Sequence, residues 1–210
     1  MKGNHRGSFV LSVVVMLFFV ILFHILIRTF VFSVSSVTGE SMQPTFPRGD
    51  GSEQVVVNHM AYRLGSPEHC DVVVFRPPGK EGKLTKQDRM KLNFFHRIVS
   101  IFNDDRYFIK RVIATENNKV VVDESSNVYV NGKRRIENFV TPPDPYRYAE
   151  RVGTEVPPNH IFVMGDHRDN SEDSRHLGPI PIENVEGRVD LQLWPLSKFG
   201  FLDNSKCTGQ

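Results

Sequence analysis

Val128-Tyr129-Val130-Asn131-Gly132-Lys133-Arg134-Arg135-Ile136 places an Asn-Gly pair between two β-prone runs. A type I′ turn needs positive φ at both central residues, and asparagine and glycine tolerate it best, so the pair predicts a two-residue hairpin. Outward from this hairpin, runs rich in β-branched and aromatic residues recur at Val55–Asn58, Asp71–Phe75, Tyr107–Ala114, Val120–Asp123, Ile161–Met164 and Val189–Trp194. Gly, Pro, Asn and Asp punctuate the intervals. No βαβ alternation and no internal repeat is present, so the pattern predicts a mainly β, antiparallel domain, a sandwich or an open barrel.

Two stretches interrupt that rhythm. Thr141–Pro158 carries Pro142, Pro143, Pro145, Pro157 and Pro158 and reads as a surface excursion without regular structure. The other, residues 79–106, is polar and cationic from Lys80 to Lys91. Its second half sets Leu92, Phe95, Val99 and Phe102 at helical spacing. A short helix over Lys91–Phe102 either packs on the β core or lies in a membrane interface.

The N-terminus decides the surroundings. Phe9–Ile27 is apolar apart from Ser12 and His24, long enough to cross a bilayer as one helix. Lys2 and Arg6 precede it, which keeps that end cytoplasmic and sends everything after about residue 30 across. Ser33-Val34-Ser35 offers an alternative, a cleaved signal peptide, although the apolar stretch exceeds a signal-peptide core. The expected partition is a cytoplasmic start at 1–8, an anchor at 9–30, a β-rich domain at 31–205 and a tail at 206–210. Lys+Arg 26 against Asp+Glu 24, for a net charge of +2, gives no reason to expect nucleic acid as a partner. Cys70 and Cys207 could pair, but their distance in sequence specifies no bridge and they form no metal or redox motif, so free thiols are the favoured expectation.

Three constellations carry chemistry. Ser41 lies in Gly39-Glu40-Ser41-Met42-Gln43-Pro44, a turn-forming stretch about a dozen residues beyond the span. Lys110 sits inside Phe108-Ile109-Lys110-Arg111-Val112-Ile113-Ala114. Strand alternation puts Phe108, Lys110, Val112 and Ala114 on one face and leaves Arg111 solvated on the other. If the Lys110 face is buried, desolvation lowers the lysine pKa and the neutral amine can take a serine proton. If the faces are reversed, Lys110 is exposed and Ile109 and Ile113 are core. The third is Gly165-Asp166-His167-Arg168-Asp169-Asn170-Ser171-Glu172-Asp173-Ser174-Arg175. It lacks the central glycine of an EF-hand, and Arg168 and Arg175 are expected to neutralise its carboxylates.

Taken in order, Ser41–Phe46, Asp71–Phe75, Phe108–Ile113 and Gly165–Arg175 resemble four motifs of the type I signal peptidases, membrane-anchored Ser/Lys endopeptidases. The resemblance implies an N-terminal transmembrane helix followed by an antiparallel β-rich catalytic domain in the cytoplasmic membrane, an organellar or thylakoid membrane being the less favoured setting. It implies Ser41 as nucleophile, Lys110 as general base and Ser171 as a hydrogen-bond partner of the lysine. Asp173 and Arg175 would be a bracing ion pair, and the Ser41 N–H an oxyanion donor. Val37, Met42, Phe46, Phe108 and Ile109 would line pockets for small substrate side chains. The implied partners are preproteins bearing signal peptides and the lipid bilayer, and no metal or cofactor is implied. Gly39 stands where some members carry an oxyanion-hole serine, and His167 replaces an asparagine. A self-cleaving Ser/Lys regulator and a catalytically idle, membrane-tethered β module are the rival readings.

Overall fold

The computed structural model describes residues 5–78, 107–141 and 152–202. The expected insertion at 79–106, its helix over Lys91–Phe102 and the tail at 206–210 lie outside the described residues.

The N-terminal helix, α1, runs from His5 to Phe30 and contains the apolar stretch Phe9–Ile27, whose mean hydropathy is 3.1 and none of which is buried against the rest of the chain. It hands directly to β1 (Phe32–Thr38), which pairs antiparallel with β2 (Asp50–Asn58). Ser33 and Ser35, the small residues of the signal-peptide alternative, are held in that pairing against Val57 and Val55. The remaining strands are β3 (Val72–Phe75), β4 (Phe108–Thr115), β5 (Lys119–Val122), β6 (Val128–Val130), β7 (Lys133–Arg134), β8 (Val152–Glu155), β9 (His160–Met164), β10 (Ile180–Pro181), β11 (Val185–Trp194) and β12 (Gly200–Phe201).

They form two antiparallel sheets. The larger runs β1-β2-β11-β3-β4-β9-β10 with β12 on β11, and the smaller runs β7-β6-β5-β8. The Asn131-Gly132 hairpin forms as expected, with Val130 opposite Lys133 and positive φ at both turn residues. The excursion at 141–158 does not stay irregular: Val152–Glu155 is a strand, paired with β5 from Val122 to Lys119. Pro157 and Pro158 come just after that strand, leaving its own Val-Gly-Thr-Glu free to donate to the ladder.

β4 holds the centre of the larger sheet, between β3 and β9. Val112 packs with Val73, Phe75, Ile161 and Val163, while Ile109 packs with Val72, Val74 and Val57 on the other side. Strand alternation holds through Val112 and then breaks. The register with β9 skips a residue between Val112 and Ala114, and both Ile113 and Ala114 join the core beneath the small sheet. Ala114 is therefore not a face-mate of Lys110, because a bulge inserts one extra residue into the strand. Arg111, expected to be solvated, is 3% exposed. A central strand covered on both faces leaves no solvent side for it.

Candidate active site

Ser41 sits in the turn between β1 and β2. Gly39 adopts φ +86, a left-handed conformation that favours glycine, and its N–H donates to Gly49 O at 2.7 Å. The Gln43 N–H donates to Glu40 O at 3.0 Å and the Phe46 N–H to Met42 O at 2.9 Å, so the backbone coils tightly around the serine. Met42 and Phe46 are completely buried and root the turn in the core. Full burial of side chains this size contributes about 1.5–3 kcal/mol each.

The carbonyl of Ser41 turns toward the 165–175 loop, where it accepts the His167 N–H at 3.0 Å. Gly165 makes this approach possible. A Cβ there would lie 2.5 Å from Ser41 O and 2.3 Å from Ser171 Oγ. The Ser41 N–H makes no hydrogen bond among the described residues, so it is free to receive an oxyanion.

Lys110 reaches the serine from β4. Its Nζ lies 2.6 Å from Ser41 Oγ, donates to Ile109 O at 3.0 Å, and sits 5.4 Å from the centre of the Phe108 ring. The residue is only 4% exposed. Burial brings its pKa down to about 8, although Asp173, Asp166 and Glu172 pull it back up. Of the two faces open to it in the sequence, Lys110 takes the buried one.

The carboxylates behind the dyad are braced. Asp173 accepts Arg175 Nε and Nη2, each at 2.9 Å, and the Gly165 N–H at 2.9 Å. Burial pushes the Asp173 carboxyl up, but the Arg175 guanidinium, the Gly165 amide and the Ser171 hydroxyl more than offset it and hold the group below its ordinary value. Ser171 Oγ is buried and close to that carboxylate, yet meets no partner at full hydrogen-bond geometry, and its expected bond to Lys110 is not formed. Beyond the Asp173–Arg175 pair, the loop finds its charge partners elsewhere. Asp166 is gripped by Arg111 at 2.9 and 2.8 Å, and Arg168 pairs with Glu137 at 2.6 Å. Thr45 of the nucleophile turn donates to Asp166 at 2.5 Å. These partners are distant in sequence, which hid them.

Above the dyad opens a cleft of about 340 Å³. Val37, Phe108 and Ile109 line it as expected, whereas Met42 and Phe46 belong to the core behind it. Ser35, Ser36, Thr38, Val55, Val74 and Tyr107 line it without having been singled out, as do Glu40, Asn170 and Glu172 at the loop side. The His167 ring makes no hydrogen bond to the serine hydroxyl, and its Nδ1 lies 3.3 Å from Glu40 O. Cys70 is disulfide-bonded, against the expectation of free thiols. Separation along the chain says nothing of distance in space, and Cys207 lies outside the described residues. A hydroxyl beside a buried amine, under an open cleft, can carry out nucleophilic attack on a carbonyl.

The sequence profile of the family described as "Signal peptidase, peptidase S26" matches residues 10–194. A probable signal peptidase I-2 of Synechocystis sp. is 35% identical over 84% of this chain and 69% of its own length. A signal peptidase I of Bacillus caldolyticus is 31% identical over 83% of this chain and 86% of that protein. The thylakoidal processing peptidase 1 of Arabidopsis thaliana is 32% identical over 83% of this chain and 45% of its length.

Proposed function

Because the chain belongs to the signal peptidase family, peptidase S26, we propose that it cleaves signal peptides from preproteins at a membrane surface, with Ser41 as nucleophile and Lys110 as general base. The observation that carries the assignment of roles is the 2.6 Å contact between Lys110 Nζ and Ser41 Oγ, made by a lysine that is almost fully buried.

In its neutral form Lys110 accepts the Ser41 proton as Oγ attacks the scissile carbonyl. The oxyanion forms against the Ser41 N–H, a donor already in place. As the bond breaks, the Lys110 ammonium returns its proton to the departing amine. Water then hydrolyses the acyl ester, with Lys110 again as base. Asp173, Arg175, Arg111 and Asp166 act at one remove by fixing the strand, the turn and the loop against one another.

Alanine-sized residues suit the cleft wall of Val37, Val55, Val74 and Ile109, which leaves a shallow apolar recess beside Ser41. Discrimination at −1 and −3 of the substrate then tracks side-chain volume. The apolar helix α1 anchors the protein, and the cations Lys2 and Arg6 before its apolar stretch favour a cytoplasmic start with the catalytic domain across the membrane. Disulfide-bonded Cys70 fits an oxidising compartment. The test is incubation of one purified preprotein with the full chain, with the cut mapped by mass spectrometry. A single cut after a small −1 residue, absent with Ser41→Ala, supports the reading. No cleavage by the wild type, or equal cleavage by the variant, refutes it.

A further inference from the structure

We propose that Glu40 and Glu172 make the enzyme select substrates carrying positive charge immediately C-terminal to the scissile bond. This specificity rests on the peptidase reading above and concerns the same cleft.

The carboxylates behind the site are all matched by arginine: Asp166 with Arg111, Asp173 with Arg175 and Glu137 with Arg168. Glu40 and Glu172 differ. Both line the cleft, and among the described residues neither forms a salt bridge with an arginine. The Glu40 carboxylate accepts one hydrogen bond, from Asn170 Nδ2 at 3.2 Å, which ties it to the loop that carries Glu172.

Among the described residues, the cleft is lined by one other ionisable group with a formal charge at neutral pH, Lys110. The reacting form of the enzyme has that amine neutral, so among the described residues the cleft is lined by two carboxylates and no cation. Apolar walls of Val37, Val55, Val74, Phe108 and Ile109 focus such a field onto whatever enters.

The side of the scissile bond follows from the chemistry. The apolar wall takes the small residues before the bond. The departing amine receives its proton from Lys110, so the residues after the bond leave past that lysine. Glu172 is close enough to Lys110 to strengthen its hold on a proton. The two carboxylates therefore face the first residues of the released chain.

The experiment uses the full chain in zwitterionic micelles and preproteins with Ala at −3 and −1 that differ only at +1 and +2, set to Lys, Gln or Glu. The expected order of kcat/KM is Lys above Gln above Glu, with the extremes at least roughly fivefold apart. Comparing substrates on one enzyme cancels any change in Lys110 titration. The ratio should fall toward one in Glu40→Gln/Glu172→Gln and in 1 M salt, where exposed charges are screened. Equal rates for all three, a preference for Glu, or a ratio unchanged in the double variant overturns the proposal while leaving the peptidase reading intact. Failure to cleave any of the three removes both.

Discussion

Arg111 and Asp166, 55 residues apart in sequence, are joined by two hydrogen bonds of 2.9 and 2.8 Å, and both are almost fully buried. Arg111 follows Lys110 on β4, and Asp166 follows the glycine on which the Ser41 carbonyl rests. Thr45 closes the triangle from the nucleophile turn. The pair therefore fixes the distance between base and nucleophile without touching either reacting atom.

Removing one partner strands the other charge in the interior, which costs about 3–5 kcal/mol. Asp166→Ala should lower the unfolding midpoint accordingly, read by urea titration of the full chain in micelles. Arg111→Met/Asp166→Leu, which removes both charges, should recover much of that loss of stability. A single variant as stable as wild type would show that the pair is not a brace.

Gly165→Ala should fold and yet lose activity. The new Cβ would overlap Ser41 O and Ser171 Oγ, and relief requires the serine or the loop to shift. A displacement of about 1 Å from attack geometry costs on the order of 100-fold. Steady-state kcat/KM close to wild type would mean that the turn has slack the structure does not suggest.

Activity should rise with pH through the titration of Lys110. Its folded pKa is about 8, so the amine is mostly protonated and inert as a base at pH 6 and mostly neutral at pH 9. The acid limb of log kcat/KM should bend near pH 8, with a slope of one below it. Removing Glu172, whose charge raises that pKa, should move the bend to lower pH. An acid limb near pH 6 that disappears with a histidine substitution would assign the base elsewhere.

His167→Asn should retain activity. The contribution of this residue to the site is its backbone N–H, which holds the Ser41 carbonyl and survives the substitution. Loss of turnover in that variant, with the fold intact, would give the imidazole a role that its position beside Glu40 O does not explain.

Much of this architecture is legible along the chain because it is local. Asn131-Gly132 encodes its own turn, and the anchor declares itself by length and hydropathy. Ser41 and Lys110 are legible by motif. What escapes is set by contacts between distant segments. Alternation predicts the faces of Phe108, Lys110 and Val112, but nothing in the sequence announces the bulge at Ile113. Arg111 reads as a surface residue until Asp166 and Thr45 are brought to it. Val152–Glu155 is too short and too flanked by prolines to stand out before β5 supplies a partner. Glu172 reads as one more acid in a charged loop, and only the fold shows that it lines the cleft.

The central claim is that Lys110 is the base that activates Ser41, and the measurement that bears on it most directly is turnover of one preprotein by Lys110→Met across pH 6 to 10. Methionine fills similar volume without a buried charge, so the variant should melt above wild type at pH 7, where the protonated lysine is penalised by burial. The account predicts kcat/KM reduced at least about a thousandfold at every pH, with Ser41→Ala/Lys110→Met no worse than either single change, because the two groups act as a unit. A folded Lys110→Met enzyme that keeps substantial activity at neutral pH would contradict it.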